Sequence, residues 1–276
     1  MTEQTAIQER AAQQAELQQQ TEPTINLPML MQPEEANMII QENLEGMGDM
    51  KFDKINMPSG GGIAFTVVDE SGKETPLTDL KGVILHKKPF RAWYIKAFDE
   101  KSEEDTGRPD CFSEDNIHGS GCEEAGIPEG QLCKTCPKNQ WGSDRHGGKG
   151  KDCAEKIRLH ILMEENAFPK FIDLPPTSIG NFKDYVKRLA NKLNPFYGVV
   201  TTTGLAVDKN TGGIKYSKAT FAKSASLSKE ERMAIRQYIS TLLPIMERIS
   251  PESIAPNEAD IIEASSDAAG SGEQPY

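Results

Sequence analysis

Cys133 and Cys136 form a Cys-x-x-Cys knuckle; Cys111 lies before it across 21 intervening residues, and Cys153 follows after 16. A knuckle of this kind turns two thiolates toward one ion, and tetrahedral Zn²⁺ closed by four sulfurs at ~2.3 Å is its usual structural complement. Residues that allow tight backbone turns surround the candidate ligands: Pro109-Asp110 before the first, Pro137 after the knuckle, and Gly142, Gly147, Gly148 and Gly150 before the last. The stretch 109–153 has hardly any aliphatic content, so burial cannot hold it together, whereas structural zinc supplies an apparent stabilisation of about 10–16 kcal/mol. The spacing predicts one structural Zn²⁺ on Cys111, Cys133, Cys136 and Cys153. Cys122 is a fifth cysteine that can stand in for Cys111 or Cys153, and His118 or His146 can complete a set of three cysteines and one histidine.

Other chemistry is excluded residue by residue. Zinc deaminases need His-x-Glu followed by Pro-Cys-x-x-Cys, but Leu132 precedes this knuckle and no His-x-Glu stands upstream. A thioredoxin-like redox motif wants its cysteines after a strand, which Gly130-Gln131-Leu132 does not supply. Gly147-Gly148-Lys149-Gly150-Lys151 is glycine-rich and basic but fails the phosphate-loop spacing, and neither Gly-x-Ser-x-Gly nor His-Glu-x-x-His occurs. With only four histidines and no converging titratable set, the expectation is a protein that is not an enzyme.

Bases alternate with aromatics on both sides of the cysteines. Lys87, Lys88, Arg91, Trp93, Tyr94 and Lys96 come first, then Lys138, Trp141, Arg145, Lys149 and Lys151. Single-stranded nucleic acid is bound by this mixture, because cations track phosphates while aromatic faces stack on bases at about 1–3 kcal/mol each. These residues are the candidate nucleic-acid contacts. For Trp93 and Tyr94 taken singly, ordinary core packing is an equal alternative. Lys183, Lys187, Arg188 and Lys192 read as the solvated face of a helix.

The net charge of −11 hides its own distribution: residues 1–50 carry −8 and residues 251–276 carry −6, which leaves +3 on residues 51–250. A slightly basic body between acidic ends is compatible with a polyanionic partner. No apolar run approaches the ~20 residues of a membrane span, and the first thirty residues are Gln- and Glu-rich where a secretory signal would be basic then apolar. The expected compartment is therefore the cytoplasm, where clustered cysteines serve as metal ligands before disulfides.

The elements that would position these residues read as follows. Residues 1–50 form a flexible acidic Gln-rich arm, with a short helix over 33–44. Strands are expected at 63–68, 80–86, 90–98, 157–163 and 170–174, where β-branched and aromatic residues gather. Ser178 is a candidate N-cap for an internal helix carrying Phe182, Tyr185, Val186, Leu189 and Leu193 at helical spacing. A hairpin then joins 197–207 to 214–221, and Ser228 with Glu231 makes a capping box for a C-terminal helix within 223–249. Residues 250–276 are a disordered acidic tail. The fold class is α+β, mainly β: a small OB-like barrel over 51–222, interrupted by a zinc-ribbon-like module at 109–153.

Four segments taken together are quite specific. They are Pro109-Asp110-Cys111-Phe112-Ser113, Cys133-x-x-Cys136-Pro137-x-Asn139-x-Trp141-Gly142-Ser143, Gly148-Lys149-Gly150-Lys151-x-Cys153 and Leu174-Pro175-Pro176-Thr177-Ser178. The combination resembles phage and mobile-element single-stranded DNA-binding proteins, over residues 83–221, about half of the chain. The resemblance implies an OB-like body with a four-cysteine zinc insert and a role in phage DNA replication, recombination or repair, inside a bacterial host cell. Cys122 and the N-terminal arm lie outside the shared pattern, so only the four cysteines are carried over. By analogy with such proteins, the acidic C-terminal tail competes with DNA and recruits replication or recombination partners. The alternative is a zinc-stabilised protein–protein interaction module, a phage accessory or host-takeover factor, without nucleic-acid binding.

Overall fold

A computed structural model describes residues 25–31, 33–45, 51–96, 107–145, 147–210 and 213–254. The chain is mixed α+β and mainly strand. A helical turn α1 (Pro28–Met31) and helix α2 (Pro33–Leu44) precede β1 (Lys54–Ile55), β2 (Phe65–Val68), β3 (Glu74–Leu77) and β4 (Leu80–Trp93). After β5 (Cys111–Ser113) and the remainder of the insert come β6 (Ala154–Met163), β7 (Lys170–Leu174) and α3 (Pro176–Asn191). The hairpin β8 (Val199–Lys209) and β9 (Lys215–Ser226) leads into α4 (Lys229–Met246). No helix among the described residues is long and apolar enough to cross a membrane.

Seven strands make one curled half-barrel sheet in the order β1-β7-β6-β4-β8-β9, with β5 added on β4, while β2 and β3 form a separate hairpin. β6 is buried almost end to end because both of its faces are covered. Leu159 and Ile161 join Ile84, Ile172, Val199 and Phe221 under Phe182, Tyr185 and Leu189 of α3, with Phe65 and Val67 of β2 closing the same core. Leu162, on the opposite face, packs with Val83, Leu85, Val200 and the apolar side of α4: Ile235, Tyr238, Leu242 and Met246. A strand buried on both faces loses the apolar–polar alternation of a half-exposed one.

Several boundaries differ from expectation. The expected strands at 80–86 and 90–98 merge into one that ends at Trp93, with a bulge between Ile84 and His86, and residues 97 and 98 lie outside the described residues. Pro89 and the lysines before it look like a turn in sequence, yet between its pairings with β8 at Leu80–Gly82 and with β5 at Arg91–Trp93, β4 bonds to β6 alone. A missing N–H is tolerated on such an open edge. Ser178 does not cap α3, whose N-cap is Pro175; it is fully buried and accepts a hydrogen bond from Ala219 N at 3.0 Å, docking the helix on β9. Ser228 does cap α4, and its box with Glu231 is complete.

The ends are less detached than residues 1–50 and 250–276 suggested. Ile25, Leu27 and Ile40 are buried against α4. Beyond α4, residues 247–254 cross the sheet as a strap: Ile249 and Ile254 pack on Phe90, Ala92 and Tyr94, Arg158 Nη1 donates to Ser253 Oγ at 2.9 Å, and Glu247 pairs with Lys88 and His86. Residues 1–24 and 255–276, where the rest of both acidic ends was expected, lie outside the described residues.

Candidate metal centre and its cationic rim

The insert is built on β4. Its last residues pair with β5 on one side, Trp93 opposite Cys111 and Arg91 opposite Ser113, and with β6 on the other, Arg91 opposite Glu155 and Ala92 opposite Ala154. Cys111 thus starts one neighbouring strand, and Cys153 immediately precedes the other. The knuckle arrives from the far side of the insert: Cys136 N bonds Cys133 O, and Asn139 Nδ2 donates to Cys133 O at 2.6 Å from the short turn Pro137–Asn139. Cys153 N closes the loop on Lys138 O at 2.8 Å.

Cys111, Cys133, Cys136 and Cys153 line one small cavity together with Arg91, Trp93, Ile127, Lys138 and Asn139. Cys133 and Cys136 are buried, and Cys111 and Cys153 half-buried. The Gly121 N–H and the Ser120 hydroxyl lie on the Cys111 side of the cavity and favour its thiolate. Gly121 has φ +81°, and a Cβ there would lie 2.6 Å from Glu129 N, so the backbone approaches closely at this turn of the insert. Burial raises the Cys111 thiol and pushes Cys153 up to about 12; the neighbouring thiolates add to both shifts, and Arg91 opposes that on Cys153. Four thiols in one pocket cannot ionise together without a cation among them. Among the described residues no three His, Cys, Asp or Glu side chains are gathered closely enough to hold a metal ion; the four cysteines share the wall of one cavity. The donor types, four sulfurs around one cavity, are those of a closed structural Zn²⁺ site.

The alternative ligands stand elsewhere. Cys122 packs beside Ile127 and Trp93 but does not line the cavity. His118 is exposed and bound through Nδ1 to Asp115 at 2.7 Å. Asp115 also accepts from the backbone of His118 and Ile117, which holds its carboxyl far below the usual range. His146 lies outside the described residues.

The candidate nucleic-acid contacts divide in two. Trp93 and Tyr94 point to opposite faces, as neighbours on a strand do, yet both are buried, Trp93 beneath the insert and Tyr94 beneath the strap. Trp93 Nε1 donates to Asp152 at 2.8 Å, and the same carboxylate, almost wholly buried, pairs with Lys138 and Arg145. Lys138 and Arg145 also lie over the Trp93 ring, and Arg145 donates to the carbonyls of Ile95 and Tyr94. Arg91 is buried with Asn139 and Glu155, and Lys88 is tied to Glu247. Burial and internal pairing take Arg91, Trp93 and Tyr94 out of reach of a nucleic-acid strand, commit Lys138 and Arg145 to holding the insert on the body, and commit Lys88 to the strap through Glu247. Asp152, which organises three of these residues, was not singled out in the sequence; an acid next to a candidate ligand and downstream of a Lys/Arg run was its only signal.

What remains on the surface is a compact group on the insert. Trp141 is 65% exposed, with Lys151 Nζ 5.1 Å from its ring centre. Gly142 N bonds the carbonyls of Lys149 and Gly150, bringing exposed Lys149 alongside, and Gln140 reaches the carbonyl of Lys134. Lys87 and Lys96 are also exposed, on and just beyond β4. No family model, curated protein or solved structure matches the chain.

Proposed function

We propose that this chain is a non-enzymatic single-stranded DNA-binding protein with an OB-like body, whose insert is closed by one structural Zn²⁺ on Cys111, Cys133, Cys136 and Cys153, and which serves DNA replication, recombination or repair. The observation that carries the reading is Trp141. A tryptophan left open to solvent beside exposed Lys149, with half-buried Lys151 reaching over its ring while donating to Asn139 at 3.2 Å, offers a stacking face and a phosphate partner in the same place. Zinc would be held by residues of the insert alone, and its chemistry there is structural: it fixes the turns on which Trp141, Lys149 and Lys151 stand. Lys87 and Lys96 extend the cationic surface along β4. Acidic residues 255–276 supply a recruiting segment for protein partners in the cytoplasm of the host cell.

The test is fluorescence anisotropy of a labelled single-stranded 30-mer against a duplex control at two salt concentrations. Salt-sensitive binding with a preference for the single strand is expected, weakened about 5- to 150-fold by Trp141→Ala, as stacking of about 1–3 kcal/mol implies. The absence of single-strand binding by the native protein would overturn the reading.

One observation favours the interaction-module reading. Ile117 and Leu132 are about half exposed and adjacent, with Cys133 N bonded to Ile117 O at 2.7 Å. An apolar pair at this position suits a protein partner. That reading expects Ile117→Asp with Leu132→Asp to abolish capture of a replication or host protein while DNA affinity, if any, is unmoved.

A further inference from the structure

We propose that Arg91 is the charge-compensating residue of the four-cysteine centre. This rests on the metal reading above and adds a residue that the cysteine spacing does not reveal. Arg91 occupies the point on β4 where both neighbouring strands meet it: β5, which begins at Cys111, and β6, which follows Cys153. Its Nη1 donates to Asn139 Oδ1 at 2.8 Å, and Asn139 in turn holds the Cys133 carbonyl of the knuckle. The residue is thus tied through its backbone to the strands beside Cys111 and Cys153, and through its guanidinium to the side chain that holds Cys133.

Its charge is only partly answered. Nη2 meets Glu155 at 3.1 Å, but Nε is buried with no hydrogen-bond partner, in a side chain that lines the cavity with the four thiols. A buried cationic donor left without an acceptor is costly, and thiolate sulfur is an acceptor that this cavity offers. A divalent ion with four thiolates carries two net negative charges in a pocket largely withdrawn from water. A fixed guanidinium beside it offsets that charge without supplying a ligand, as outer-shell partners of metal sites do.

The test uses the full-length native protein, Arg91→Met and Arg91→Lys, each refolded with zinc and titrated with a colorimetric chelator, together with cobalt(II) substitution read by its thiolate charge-transfer absorption. Native protein is expected to hold one zinc per chain. Arg91→Met is expected to release it about 10- to 100-fold more readily, Arg91→Lys to recover most of that loss through its charge, and the cobalt band to keep equal intensity in all three because no ligand is altered. Zinc retention by Arg91→Met equal to native overturns the role of Arg91 and leaves the metal reading standing. A weaker cobalt band in Arg91→Met also overturns it, since the arginine then acts by keeping a cysteine in place. Should Arg91→Met fail to fold, Arg91→Lys decides: near-native zinc retention supports the charge role, and a deep loss overturns it. A native protein that takes up no zinc removes both readings.

Discussion

The half-barrel body and the cysteine insert are held by opposite means. In the body, α3 and α4 cover the two faces of the sheet with Ile, Leu, Val and Phe, and side chains such as Phe65, Leu80, Ile84 and Leu159 are wholly buried. The insert has one small apolar group, Trp93, Ile127 and Cys136, and otherwise depends on side-chain-to-backbone bonds from Asp115, Asn139, Gln140 and Ser143, on the buried Asp152 with its three partners, and on the thiols. Apolar burial tolerates local damage by degrees. A metal-closed loop does not, because losing one ligand removes the binding free energy of the whole site. The two regions should therefore fail separately.

The largest effect is expected from Cys133→Ser. Loss of an apparent stabilisation on the order of 10 kcal/mol should abolish zinc uptake and remove hydrogen-exchange protection from residues 111–153 while β6–β9 and α4 stay protected. Simultaneous loss of protection in the sheet would break the comparison. Phe182→Ala reverses the roles. Phe182 is buried between α3 and the sheet, edge-on to Phe221 at 5.3 Å, and its truncation should cost about 3–5 kcal/mol of global stability in urea with zinc content unchanged in the folded protein.

These two predictions fall on the parts of the molecule that the sequence discloses unequally. The knuckle, the capping box at Ser228 and the apolar runs of β6 and β7 are local patterns and could be read without the fold. The burial of Trp93 and Tyr94 could not, because alternation on a strand exposes one of two neighbours unless separate pieces of chain cover both faces, and those pieces lie at residues 111–153 and 247–254. Ile25 and Leu27 were equally opaque: two apolar residues in a polar stretch acquire meaning only through α4, some two hundred residues away. Cationic residues beside aromatics suggested a binding surface, and three of them, Arg91, Lys138 and Arg145, proved to be fastenings between insert and body.

A smaller effect sharpens the contrast through pH. Burial, with the charges of Arg158 and His86, pushes the His160 imidazole down to about 3, whereas an unfolded histidine titrates near 6.5. Between those values the unfolded chain binds a proton that the folded body does not, so stability falls as pH falls through that window, by about 2 kcal/mol at pH 5. Asp173, held low by Arg158 against its own burial, and Glu247, held low by Lys88, add in the same sense only as pH falls through the ordinary carboxylate range. Urea midpoints at pH 7.5 and 5, taken in the Cys133→Ser background so that metal release is not counted, should differ clearly. His160→Phe, in a site already lined by Phe52 and Phe171, should shrink the difference; an unchanged difference would place the titration elsewhere. The smallest effect is expected of Ser228→Ala, which removes the α4 cap at a cost of about 1 kcal/mol, read as a lower Tm with zinc retention intact.

The chain carries two tryptophans, and the architecture has sorted them into separate optical reporters. Trp93 is 3% exposed against the cysteine cavity and Trp141 is 65% exposed on the rim. A neutral collisional quencher such as acrylamide should extinguish the red-shifted emission of Trp141 and leave the blue-shifted emission of Trp93. A paramagnetic ion taken up by the cysteines should darken Trp93 preferentially. Without any added label, the protein then reports on its interior and its surface at two ends of one emission band.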